Sequence, residues 1–295
     1  MFDFRYHALS LTAVFIALAV GLLLGVAIGD SGLVSSADRK LRASLHRDVN
    51  AAKRREQKAQ AELADADRFQ RDVYPLLVSN QLSGLSIGLV FLGDPAKDVT
   101  GDVRDALRDT GGELRSVVTT GTGTGTKIAD AGKAAEGTRY ADLAAVPEPD
   151  LKLVRDFGFR IGAQYVNPGK LLDAEKDTIF DTFNGDVRRL DAVIVVYTPP
   201  ANEAKGYAKD AREQWDQGFV EGLRKSRVPV VGVEEQNTDP SHIGWYKDRS
   251  ISSVDDIDET AGHASLVFTL QGKQGAYGRR DGADSLLPDA VSATP

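Results

Sequence analysis

The sequence predicts an α/β protein: an N-terminal transmembrane helix, a long helical coiled-coil stalk, then a doubly wound, Rossmann-like domain on a mostly parallel sheet. Three observations predict it. Ala8 to Ile28 is an apolar run of 21 residues, Ser35 to Leu77 is rich in Ala and charge with no Gly or Pro until Pro75, and beyond Ser83 short apolar runs alternate with helix-like segments.

The apolar run follows a stub of residues 1–7 and, taken as 8–29, covers the ~30 Å hydrocarbon core at roughly 1.5 Å per residue. Only Ser10 and Thr12 are polar within it. Ala13, Ala17, Gly21, Gly25 and Gly29 recur every fourth residue, a small-residue face on which two backbones can approach closely. A cleaved signal peptide has a shorter apolar core and a small-x-small cut site, and Ala27-Ile28-Gly29-Asp30 offers no clear one. The run therefore reads as a retained signal anchor. Charge leaves its orientation open, because Arg5 argues for an inside N-terminus while Arg39, Lys40 and Arg42 pull the other way. The absence of cysteine fits either compartment.

The stalk, 35–77, begins at Ser35 or Ser36 as a possible cap. Its heptad seam is Leu45, Val49, Ala52, Glu56, Ala59, Leu63, Ala66, Gln70, Val73 and Leu77, a diluted coiled coil. A lone solvated helix fits the same pattern, but the small-residue face just before it favours a parallel homodimer through span and stalk. Lys53, Arg54, Arg55 and Lys58 make a solvated basic stretch.

The globular domain is placed at 83–271. Strands are expected at Leu85–Leu92, Glu113–Thr119, Leu190–Tyr197 and Val228–Val233; their near-continuous apolarity suits strands covered on both faces. Helices are expected at Val99–Asp109, Leu151–Phe157, Leu171–Asn184, Glu203–Lys225 and Glu259–Leu270. Residues 121–138 read as a Gly/Thr linker insertion, and 272–295 as a flexible tail with one docking turn at Leu286-Leu287-Pro288.

Chemistry-bearing motifs are few. In GTGTGTK, Gly121 to Lys127, Thr126 stands where a Walker loop needs Gly, and the G-x-G-x-x-G spacing fails as well. There is no H-E-x-x-H and no cysteine nucleophile, and no enzyme is expected. His242 and His263 suit ordinary hydrogen bonds. Open α/β sheets bind ligands beyond the carboxyl ends of their strands, where Asp94, Thr198, Glu234 and Glu235 would line a crevice. Asp255, Asp256, Asp258 and Glu259 suit a helix N-terminus.

RYHALSLTAVFIALAVGLLLG at the start, YPLLVSNQLSGLSIGLV at the junction and GHASLVFTLQGKQGAYG near the end together resemble the actinobacterial MctB-like family of copper transport proteins. The resemblance spans nearly the whole chain, with 121–138 the least similar part. It implies an envelope location with the domain outside the cytoplasmic membrane, and a role in copper homeostasis. Some relatives are implicated instead in cell separation, through a membrane partner that controls cell-wall hydrolases.

The residues sit uneasily with direct copper transport. Cu(I) favours Cys and Met, yet the chain has no Cys, Met1 alone, and dispersed His7, His46, His242 and His263. Copper is thus implied by the resemblance without convincing ligands, and no cofactor is expected. A single apolar span offers no polar lining for a pore, and the strands are too few for a barrel. Two readings stay open: copper homeostasis, and a non-catalytic envelope adaptor for a membrane or cell-wall partner. No nucleic-acid partner is expected of a chain with net charge −7.

Overall fold

The chain begins with two helices, α1 (Phe4–Gly29) and α2 (Leu33–Val78). A computed structural model describes residues 4–29, 33–120, 124–135, 137–200 and 205–289. It divides into two units, Met1–Asp67 and Arg68–Pro295.

In the first unit, Tyr6–Ile28 of α1 is long and apolar enough to cross a membrane. One of its polar side chains is satisfied locally, since Thr12 Oγ1 donates to the Ala8 carbonyl at 2.8 Å. Of the small-residue face, Ala13 and Ala17 are exposed, a Cβ added at Gly21 or Gly25 would meet open space, and Gly29 closes the helix. Within α2, Ser35 and Ser36 lie inside the first turns rather than capping them. Leu45, Val49, Ala52, Ala59, Leu63 and Ala66 are all exposed in the single chain.

The second unit starts with the last turns of α2. Tyr74 and Val78 are buried, and Tyr74 donates its hydroxyl to the Ala106 carbonyl at 2.6 Å. Val73 is half-buried and Leu77 is 40 % exposed, so the face turned to the domain is 74/78 rather than the expected seam. There follow β1 (Ser86–Gly93), α3 (Lys97–Leu107), β2 (Glu113–Thr119), α4 (Thr124–Ala134), a 3₁₀ turn at Arg139–Ala144, α5 (Leu151–Val166), α6 (Lys170–Ile179), β3 (Thr182–Gly185), β4 (Ala192–Thr198), α7 (Tyr207–Lys225), β5 (Val230–Val233), α8 (Ile243–Asp248), β6 (Ser252–Val254), α9 (Thr260–Leu270) and β7 (Ala276–Tyr277).

The seven strands form one sheet in the order β3-β2-β1-β4-β5-β6-β7, parallel except for β3. In β1 and β4 successive side chains enter opposite cores: Leu89, Phe91, Ile194 and Val196 on one face, Val90, Leu92, Val193 and Val195 on the other. Unbroken apolar strands follow from this two-sided burial. The end of α2, α3 and α9 cover the first face, while α4 to α8 contribute to the second.

The second face is organised by a backbone contact. Gly158 and Gly162 of α5 meet Gly218 and Gly222 of α7. A Cβ at Gly162 would fall 2.1 Å from the Phe219 carbonyl oxygen, at Gly218 2.0 Å from that of Arg155, and at Gly222 2.1 Å from that of Phe159. Only glycine permits this approach. Phe157, Trp215 and Phe219 are fully buried around the crossing, each worth about 1.5–3 kcal/mol of apolar burial. The Arg155–Glu221 ion pair closes its rim.

Several expectations are corrected. Within the supposed linker 121–138, residues 121–123 and 136 lie outside the described residues, but Thr124–Ala134 is helical. It buries Ile128, Ala131 and Ala135, and Gly132 packs against Ala144 of the 3₁₀ turn. Tertiary burial overrides its poor Gly/Thr propensity. The helix expected over Leu171–Asn184 stops at Ile179, and Thr182–Gly185 turns back as an antiparallel strand on β2, a state that suits Thr and Phe. The helix expected over Leu151–Phe157 runs to Val166; the one expected from Glu203 is described from Tyr207, with 201–204 outside the described residues. The supposed flexible tail instead packs as far as Asp289: β7 joins the sheet, Arg279 and Arg280 donate backbone N–H to Asp255 at 2.8 and 3.0 Å, and Ser265 donates to the Leu286 carbonyl. Residues 290–295 lie outside the described residues. Asp255 therefore holds the tail and not a helix N-terminus.

The crossing makes a test. Gly218→Ala is expected to cost about 2–4 kcal/mol, whereas Gly101→Ala, in α3 with open space around its Cβ, gains about 0.5–1 kcal/mol. Chemical denaturation of the two variants measures both.

Candidate functional site

The strand order reverses between β1 and β4, which places the candidate crevice beyond their carboxyl ends. Asp94 and Thr198 are indeed brought together there, but they are stitched to each other. The Asp94 N–H donates to the Thr198 carbonyl at 3.0 Å and Thr198 Oγ1 donates to the Asp94 carbonyl. Gly93, at φ +120°, leaves no room between these loops, since a Cβ would fall 1.8 Å from the Thr198 oxygen.

Glu234, at the end of β5, is buried and committed to structure. Ser241 Oγ and the His242 N–H each donate to its carboxylate at 2.6 Å, and Arg280 Nε lies 3.4 Å away. Burial raises its pKa even against these partners. Glu235 faces another way, toward Asp98, Asp102 and Asp258. Its pKa is raised by burial and then by Asp258 and Asp98, and Asp102 is pushed up to about 6 by burial and then by Glu235, Asp258, Asp105 and Asp98. The four expected crevice residues thus occupy three separate settings.

A cluster that the sequence reading missed lies beside them. Tyr197, near the end of β4, stacks on Trp245 with ring centroids 4.1 Å apart; the Arg249 guanidinium lies 3.9 Å from the Trp245 ring, and His242 meets Tyr197 edge-on at 5.1 Å. Tyr246 OH accepts from the Tyr197 N–H and donates to the Val233 carbonyl, tying the ends of β4 and β5. Beneath lie Arg212 and Asp216 of α7, both buried. Burial pushes Asp216 up to about 7 against the pull of Arg212 and Arg249. A signal was present in the sequence: Arg212 and Asp216 share a helical face with Trp215, Phe219 and Leu223, so charges fall in an apolar register.

Metal chemistry finds little purchase. Among the described residues no group of three or more His, Cys, Asp or Glu is placed to hold a metal ion. His242 Nδ1 stands 3.9 Å from Glu234, and burial lowers the pKa of His242 and of His263.

An apolar N-terminal helix of membrane-crossing length and an α/β domain on a mostly parallel sheet define the class of this protein. The chain belongs to the MctB family, described as copper transport outer membrane protein, whose model matches residues 1–154 and 168–288. It is similar to the copper transporter MctB of Mycobacterium bovis and of Mycobacterium tuberculosis, being 26 % identical over 327 residues that cover 97 % of this chain and 99 % of each relative. It is thus a copper-related envelope protein.

The raised carboxyls give a pH signature. Asp216 and the fully buried Asp256, both pushed up to about 7 chiefly by burial, bind protons in the folded chain between their ordinary value of 3.8 and about 7, where the unfolded chain does not. Their contribution to folding stability is expected to rise as pH falls from 8 to 5, against the opposite contribution of His242 and His263. Denaturation across that range should show a flatter profile for Asp256→Asn.

Proposed function

We propose that this chain is a single-pass, non-catalytic envelope protein that serves copper homeostasis, with residues 1–7 cytoplasmic, 8–29 as anchor and the α/β domain extracytoplasmic. The observation that carries it is the family match, which runs through the apolar helix and the α/β domain alike. The copper transporter name of the mycobacterial relatives supports the copper role. No copper ligand set is assigned, since the chain lacks Cys and has Met1 alone. The strand order supports reading the domain as a doubly wound, Rossmann-like variant with one reversed strand. The adaptor reading has no specific observation in its favour.

Pairing belongs to the same proposal. The small-residue face of the span and the exposed Leu45, Val49 and Leu63 of the stalk support a parallel homodimer with a coiled-coil stalk.

Deletion of the gene in its own host is expected to lower copper tolerance. The full chain should restore it, while a chain lacking residues 1–29 should not. Unchanged tolerance and unchanged cell copper in the deletion strain would sink the copper role. Alkaline phosphatase fused after Asp289 should be active; a stable but inactive fusion would reverse the orientation. For pairing, Val49→Cys supplies a single thiol in a cysteine-free chain and should yield disulfide-linked dimers. Adding Gly21→Leu and Gly25→Leu, which have room in the single chain, should cut that yield several-fold; equal crosslinking would remove the span from the interface.

A further inference from the structure

The amino-terminal ends of β5, β6 and β7 carry a cavity of about 660 Å³, at the opposite end of the sheet from the crevice. It is built by three helix-to-strand turns brought side by side because these strands are adjacent and parallel: α7 into β5, α8 into β6 and α9 into β7. Each turn delivers positive charge. Arg224 and Arg227 come from the first, Lys247 from the second and Lys273 from the third. Among the described residues none of the four side chains makes an ion pair or a hydrogen bond. Asp284 is the only carboxylate in the wall, and its Oδ2 is occupied by the Ala276 N–H at 2.9 Å.

Four unneutralised cations around one concavity are unexpected in a chain whose net charge is −7. Helix dipoles account for Arg224 and Lys247, which sit in the last turns of α7 and α8. They do not account for Arg227, beyond the helix at φ +61°, nor for Lys273, beyond the cap of α9. An arginine in the left-handed region costs free energy that glycine there would not. The volume is that of a small-molecule site, and two Arg forks with two Lys ammonium groups match doubly charged phosphate oxygens.

We propose that this basin binds a polyanionic ligand of the phosphate-ester class. It is a site separate from the copper role and independent of it. The ligand's phosphates lie between the Arg224/Arg227 pair and the Lys247/Lys273 pair, and the polar turns supply hydrogen bonds. The phosphate could come from a soluble ester or an anionic lipid headgroup, which share this chemistry.

The test uses the full chain in phosphatidylcholine nanodiscs at low ionic strength, titrated calorimetrically with inorganic pyrophosphate. Saturable binding is expected, weakened roughly tenfold or more by the double change Arg224→Glu with Arg227→Glu. A control of equal charge, Lys152→Glu with Lys170→Glu at exposed positions outside the basin, should bind like the parent. Arg227→Gly relieves the backbone and is expected to keep or raise the melting temperature while weakening pyrophosphate binding, a split that a merely structural arginine cannot produce. Repeating the titration in phosphatidylglycerol nanodiscs separates the sources: suppression identifies the lipid headgroup and persistence the soluble ester. Absence of saturable binding by the parent chain, or equal weakening by the control pair, overturns the proposal.

Discussion

The close approach of α5 and α7 through four glycines is the constraint on which the second unit depends. With backbones this near, the two helices act as one slab, and their aromatic side chains are pressed outward into one cluster. Trp215 and Phe219 of α7 stack beside Phe157, and Tyr165 reaches both Phe219 and Phe180. A methyl group anywhere along the crossing forces the helices apart and loosens every ring between them and the sheet.

The same crossing sets the register of α7 along the sheet, and α7 serves both ends of it. Its first turns place Arg212 and Asp216 under Tyr197 at the carboxyl ends of the strands, and its last turn places Arg224 in the basin at the amino ends. The two ends are thereby opposite in character. One has buried and half-buried carboxylates and stacked aromatic rings, and the other is a basic hollow. On the other face Tyr74 and Val78 bind the last turns of α2 to α3 and α9, so the end of the predicted stalk is part of the domain's core.

The legible parts of this chain are those in which local pattern and tertiary environment agree. β1, β4 and β5 are apolar along nearly their whole length because both faces are covered, and α3, α7 and α9 carry clear apolar faces or runs. The misread parts are those where the environment decides. Ile128, Ala131 and Ala135 make a helix of a Gly/Thr-rich stretch only because a core waits for them, and Thr182–Gly185 becomes a strand only because the edge of β2 is open to it. β6 and β7 are too short to show a period. The candidate crevice was partly legible: Asp94 and Thr198 do meet, but Asp94 takes part through its backbone alone. Glu234 and Glu235 are adjacent in sequence and point into different surroundings, as neighbours at the end of a strand do.

Taken alone, the sequence determined the apolar helix, the α/β alternation, the family resemblance and the scarcity of soft metal donors, because each is a property of composition or local period. Only the tertiary structure decided which glycines meet, which carboxylates are buried, that the tail is part of the sheet and that four scattered cations share one hollow. These depend on contacts between residues far apart in the chain, and local spacing carries no record of which distant segment a face will meet.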